Sequence, residues 1–184
     1  ITLGNDGDFQ DRRFVDIINN DLANTIGNLL NRTTSMSRKW FDNKVPINNE
    51  ITSESKLECL AKTSVQNYIN KFNTYKLDQA ANEVLNLAIN TNLYLNENQP
   101  WLLIKENDKL PVVKEIIYNV LESTRIIGLL LLPLLPELSS KINLQLGSIY
   151  QKDVSWEQQL KWGLLISNTN LPKPSPIINK LEYE

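Results

Sequence analysis

Apolar positions along this chain recur with helical spacing over long stretches, and alternation of period two is almost absent. Plotted at roughly 100° per residue, Val15, Ile18, Leu22, Ile26, Leu29, Met36 and Trp40 share one arc, which predicts a first helix from about Phe9 to Phe41. GNDGD before it reads as a turn, with Asp8 as the expected N-cap. The opposite arc holds Asn20, Asn24, Asn28, Asn31, Arg32 and Ser35. NKVPINNE, residues 43–50, is a loop. Ser53 is expected to cap a second helix, roughly Glu54 to Phe72, whose inward face is Leu57, Leu60, Ala61, Val65, Tyr68 and Ile69. A third helix runs from about Leu77 to Asn96, with Ala80, Ala81, Val84, Leu85, Leu87, Ala88 and Leu93 as its apolar positions. A fourth opens at Lys109-Leu110-Pro111, with proline where helices tolerate it, and continues to about Leu132. Pro136 starts a fifth that ends near Leu146-Gly147. SWEQQLKWGLL is a last amphipathic piece, and NLPKPSPIINKLEYE after it is punctuated by proline and has no helical period.

The pattern predicts an all-α helical bundle with an extended C-terminal tail. No motif recurs at the period of helical-repeat families. The hydrophobic content, 41% of 184 residues, suits one domain with a real core.

Charge and residue usage narrow the chemistry. Lys+Arg 19 against Asp+Glu 21 gives a net charge of −2, so no overall field draws the chain onto nucleic acid or membrane. Any such binding must come from local groups, with few phosphate contacts. The single Cys59 excludes an internal disulfide and fits a reducing compartment. With no His and one Cys, a zinc site and a nucleophile–His pair are both ruled out. IIGLLLLPLLPEL, residues 126–138, is too short to span a bilayer and is interrupted by Pro133 and Pro136. The chain begins at Ile1, without an initiator Met or a signal-like segment, and is expected to be a piece of something longer.

Three stretches carry candidate function. Amides and a guanidinium on one face of the first helix offer donors and acceptors that match base edges, although a solvated face in an Asn-rich chain reads the same. In LYLNENQPW, residues 93–101, Pro100 ends the helix and fixes the backbone before Trp101. That Trp is either a cap on the core or a stacking platform for an unpaired base. TSMSRKW, residues 34–40, superficially resembles a nucleotide-binding loop. It lies inside the helix, where Arg38 and Lys39 suit the negative end of the dipole, and it is read as no ATP site.

Taken in order, GNDGDF, NNDLANTIGNLLNRT, NLYLNENQPW, LLLLPLLPELSSKI with a following LG, and KPSPIINKLE resemble the anticodon-binding domain of methionyl-tRNA synthetases. The resemblance covers almost the whole chain. Its most specific parts are the NDLAN-GNL-NR helix and the PW corner. It implies that the chain reads the CAU anticodon of methionine tRNA. By position Asn28 and Arg32 match the family's anticodon-reading residues, Trp101 its stacking Trp and Pro100 the proline that positions it. Asn96 matches a polar position near the anticodon. Asn20 and Asn24 are expected to be structural, tying the helix to neighbouring backbone.

The tail departs from the family's PLFPRIE, with Ile177, Ile178 and Lys180 in place of its aromatic and Arg. The family's nucleotide-binding motifs and its Cys-containing insertion are absent from the chain, and GNDGDF resembles the segment just downstream of the second of those motifs. Residues 1–8 are therefore expected to end a catalytic-domain linker, 9–166 to form the bundle, and 167–184 to pack back toward the catalytic domain. The resemblance implies a noncatalytic module without catalytic residue, metal or cofactor of its own. The full-length ligase would use ATP with Mg to activate methionine, in the cytoplasm or an organelle. Its partners would be the tRNA anticodon loop and its own catalytic domain, with no membrane. Two other readings stand beside this one: a helical docking domain without RNA binding, and the anticodon domain of a valine, isoleucine or leucine synthetase.

Overall fold

A computed structural model describes residues 4, 6–46 and 54–182. The described residues form an all-α bundle, and their only β contact is an isolated antiparallel bridge between Lys44 and Asn170. The first predicted helix is one continuous rod of two kinds. It runs as α1 (Asp11–Asp16), a π-helical segment (Ile17–Gly27) and α2 (Asn28–Trp40). Its N-cap is Gln10, not Asp8, and Asp11 supplies the acidic group of the first turn.

The π-helical segment changes which face is buried. An i→i+5 turn takes up one more residue than an α turn, so positions separated by three or four slip out of line across it. Of the predicted arc only Ile26 and Leu29 are buried, while Val15, Ile18, Leu22, Met36 and Trp40 are half-buried. Leu30, Thr33, Thr34 and Ser37 take the inner positions instead. The Thr33 and Thr34 hydroxyls donate to the carbonyls of Leu29 and Leu30, and the Ser37 hydroxyl donates to the Lys44 carbonyl. Those bonds occupy two of the hydroxyls of TSMSRKW, at Thr34 and Ser37.

Ser53 lies outside the described residues, and α3 (Lys56–Asn73) is capped by Ser55, whose hydroxyl accepts from the Glu58 amide at 3.1 Å. The third predicted helix is α4 (Leu77–Asn98), followed by a short α5 (Pro100–Leu103) and a 3₁₀ turn at Asn107–Lys109. The fourth is α6 (Leu110–Leu131), and every residue from Ile116 to Leu131 is buried. A helix buried all round belongs at the centre, and α6 packs against α2, α3, α4 and α7. Helix α7 (Pro136–Gln145) crosses it at Gly128, where an added Cβ would meet Ile142 Cγ2 at 2.9 Å. A last short helix, α8, covers Trp156–Gln159.

One ion pair sits inside this core. Arg125 donates to both carboxylate oxygens of Glu122, at 2.8 and 2.6 Å, and to the carbonyls of Gln159 and Lys161 at 2.6 and 2.7 Å. Glu122 accepts in addition from the amides of Gly163, Leu164 and Leu165, at 2.7, 3.1 and 3.0 Å. Buried charges are tolerated when paired and hydrogen-bonded, and here they hold the non-helical segment after α8 against α6.

The tail is extended and follows the bundle's own surface. Gly147, at φ +63°, lets the chain at Thr169–Asn170 pass, since a Cβ there would stand 2.7 Å from the Thr169 side chain and 3.0 Å from the Asn170 carbonyl oxygen. Gln145 donates to the Ser175 carbonyl and accepts from its amide, Ile177 is buried beside Gly27, and Asn19 pairs with Leu181.

Candidate nucleic-acid interface

The corner at the end of α4 is set by backbone conformation. Gln99 sits in the left-handed region at φ 44° and ψ 54°, a position usually given to glycine, and reverses the chain before Pro100. Pro100 starts α5 and is buried, which fixes the direction from which Trp101 leaves the backbone. Trp101 is half-buried: its ring packs against the core cluster and retains partial exposure.

Arg32, half-buried on α2, meets that ring. Its guanidinium carbon stands 5.8 Å from the Trp101 ring centroid, a cation–π arrangement. The same guanidinium donates to Asn96 Oδ1 at 3.0 Å. Asn28 lies one turn before Arg32 on the same helix, exposed and without a side-chain hydrogen bond among the described residues. Arg32, Asn96, Trp101 and Pro100 therefore meet at one corner, with Asn28 beside it. The arrangement offers a partly exposed aromatic face, a guanidinium held by a neutral amide, and further amide donors and acceptors. Such a set can stack a flat ring and hydrogen-bond its edge.

Electrostatics at the corner are mild. Glu97 follows Asn96 and lies 4.0 Å from Lys56, a solvent-exposed pair of little energetic weight. Burial pushes the Tyr94 hydroxyl above its ordinary range, and Asn119 donates to it at 3.4 Å. No group of His, Cys, Asp and Glu among the described residues could hold a metal ion.

The other amides divide differently from expectation. Asn24 donates to Asn20 Oδ1 at 3.3 Å, and both side chains are exposed, so neither ties the helix to neighbouring backbone. That work falls to Asn19, which donates to the Leu181 carbonyl at 2.9 Å and accepts from the Leu181 amide at 2.8 Å. Asn92 on α4 also contributes, donating to the Thr25 carbonyl at 3.2 Å. The displacement by one position follows from the π turns, which rotate Asn19 toward the tail and Asn20 toward solvent.

A family profile described as the anticodon binding domain of methionyl tRNA ligase matches residues 45–182. A methionine–tRNA ligase of Thermosynechococcus vestitus is 38% identical over 98% of this chain and 36% of its own length. One of Synechocystis is 34% identical over 99% of this chain and, again, 36% of its own. The chain thus spans about a third of the length of these relatives. The crystal structure of the free Mycobacterium tuberculosis methionyl-tRNA synthetase superposes with a TM-score of 0.88 at 26% identity, over 100% of this chain and 37% of that one.

Proposed function

The chain belongs to the anticodon-binding domain family of methionyl-tRNA ligases, and from that premise we propose that it reads the CAU anticodon of methionine tRNA at the Arg32 corner. The observation that carries the reading is the convergence of Arg32, Asn96 and Trp101 from two distant stretches of sequence. In this reading the first anticodon base stacks on Trp101, held in place by Pro100. Arg32 and Asn28 hydrogen-bond base edges, and Asn96 keeps the guanidinium in position. A near-neutral site without clustered cations suits recognition of splayed bases more than of backbone phosphate.

The wider assignment follows the same premise. Residues 9–166 form the reading body of a ligase that joins methionine to its tRNA with ATP and Mg, in the cytoplasm. Among the described residues no helix is long and apolar enough to cross a membrane. The Thr34 and Ser37 hydroxyls of the TSMSRKW stretch are engaged by backbone within a helix, so ATP chemistry is assigned to a catalytic portion elsewhere in such a ligase. Residues 1–8 link to that portion. The tail from residue 167 keeps an outward side, with Pro172, Lys173 and Asn179 exposed, that is assigned to contact it.

The deciding experiment is binding of the chain to an anticodon stem–loop bearing CAU and to one bearing another triplet. A preference for CAU that disappears in Arg32→Ala is expected. Equal binding of both loops by the unaltered chain would overturn the proposal.

A further inference from the structure

We infer that the groove between the amide face of the first rod and the tail holds one unpaired nucleotide of the same RNA loop, outside the triplet. The inference rests on the reading of the Arg32 corner as an RNA site. The groove is open, encloses about 280 Å³, and runs past Asn24, Gly27, Asn28 and Asn31 on one side and Ile178 and Lys180 on the other.

Its two walls differ in a way that fits a nucleotide. Gly27 leaves the helix side without a side chain, and Ile177 of the tail closes on it, 3.7 Å from where a Cβ would stand. The two floor the groove, and with half-buried Ile178 at its side they give a slot on which a flat ring can lie. Around that slot stand three exposed amides, of which Asn28 and Asn31 make no side-chain hydrogen bond among the described residues. Amides supply both donors and acceptors for a base edge or a ribose hydroxyl. Lys180 is exposed and makes no ion pair among the described residues. One cation matches a single backbone phosphate, whereas a polyphosphate would need more.

Continuity identifies the occupant. Asn28 lines the groove and also stands one helical turn, about 5.4 Å, from Arg32. A strand with its bases at Trp101 and Arg32 therefore passes Asn28 and enters the groove without leaving the surface. A free nucleotide or a peptide would have no reason to bind in step with the triplet.

The test uses CAU stem–loops, intact or with one base removed at each loop position outside the triplet. Affinities are measured for the unaltered chain, for Asn24→Ala with Lys180→Ala, and for Trp101→Ala. Removing one particular base should weaken the unaltered chain by about 3–10-fold. The double variant should lose that much on the intact loop and no longer respond to the missing base. Its thermal midpoint should not move, because both side chains are exposed. Trp101→Ala should keep the response. The inference is overturned if no base outside the triplet matters, or if the double variant weakens intact and base-deleted loops equally, which would be a nonspecific charge effect. An unaltered chain with no preference for CAU removes the reading of the Arg32 corner and this inference with it.

Discussion

Arg32 on the first rod donates to Asn96, 64 residues further along the chain, and the 3.0 Å bond holds the guanidinium above the half-buried ring of Trp101. A long, flexible side chain is thereby fixed before any ligand arrives, which lowers the entropy lost on binding. Asn96 is neutral, so it orients the guanidinium without cancelling its charge.

Arg32→Ala should relax discrimination between CAU and other triplets by about 1–3 kcal/mol for each lost base contact. Asn96→Ala should give a smaller loss of the same kind, because the guanidinium remains but is no longer held. Competition binding with a set of loop triplets measures both. Unchanged preference in Arg32→Ala would remove the guanidinium from the reading site.

Trp101→Ala should weaken stem–loop binding by about 1–3 kcal/mol through lost stacking, for all triplets alike. Because part of the ring packs against the core, the variant should also melt at a somewhat lower temperature. Trp101→Phe separates the effects by keeping an aromatic face. If Phe binds no better than Ala, stacking is not the source of the loss.

Asn19→Ala should release the end of the tail, since the two reciprocal hydrogen bonds to Leu181 go with it. Hydrogen exchange at the Leu181 amide should rise, with a stability loss of about 1–2 kcal/mol. Asn20→Ala should change neither, because its side chain is exposed and bonded only to Asn24.

Arg125→Met should be the most destabilising of these changes, by about 3–5 kcal/mol in urea unfolding, because it strands the Glu122 carboxylate in the core. Replacing both partners by apolar residues should recover only part of the loss. Three backbone amides and two carbonyls of residues 159–165 would still lack their partners. Full recovery would mean that the segment finds its own hydrogen bonds.

Burial pushes the phenols of Tyr68 and Tyr118 up to about 12, and at Tyr118 the Glu122 carboxylate adds to the effect. A raised phenol pKa means that the folded chain binds more protons than the unfolded chain above the ordinary tyrosine value of about 10. Stability is therefore full below about pH 10 and falls as pH rises toward 12. Tyr118→Phe should flatten that fall, at the cost of the bond its hydroxyl donates to the Leu165 carbonyl. Denaturant midpoints across that range test the sign.

The long helices were legible because period and punctuation agree. Pro111, Pro136 and Gly147 stand at element boundaries in the sequence, and the structure starts α6 and α7 and turns the chain there. The π-helical segment was hidden because an arc drawn at helical period assumes the hydrogen-bond spacing that the segment abandons. That assumption also put the structural role on Asn20 instead of Asn19. The buried pair does leave a signal in the sequence: Glu122 and Arg125 are three residues apart, one helical turn, between the apolar positions Val120-Leu121 and Ile126-Ile127, where charges need partners. For the corner, Asn28 and Arg32 share a face by spacing alone. That Asn96 and Trp101 come to meet Arg32 is a long-range fact, which periodicity cannot supply and which entered only through resemblance.

The π-helical segment also works as a buffer between the two ends of the rod. Removing one residue from it would let a turn rewind to α geometry, closing the same full turn with one residue fewer, while α2, and with it Arg32, stayed locked in the core by Leu29 and Leu30. The residues upstream would keep their facing and Asn19 its bonds to Leu181, whereas the same deletion inside α2 would rotate them by about 100°. The wide turns are thus slack between the reading corner and the anchorage of the tail: a residue lost there is taken up, and one lost beyond them is not.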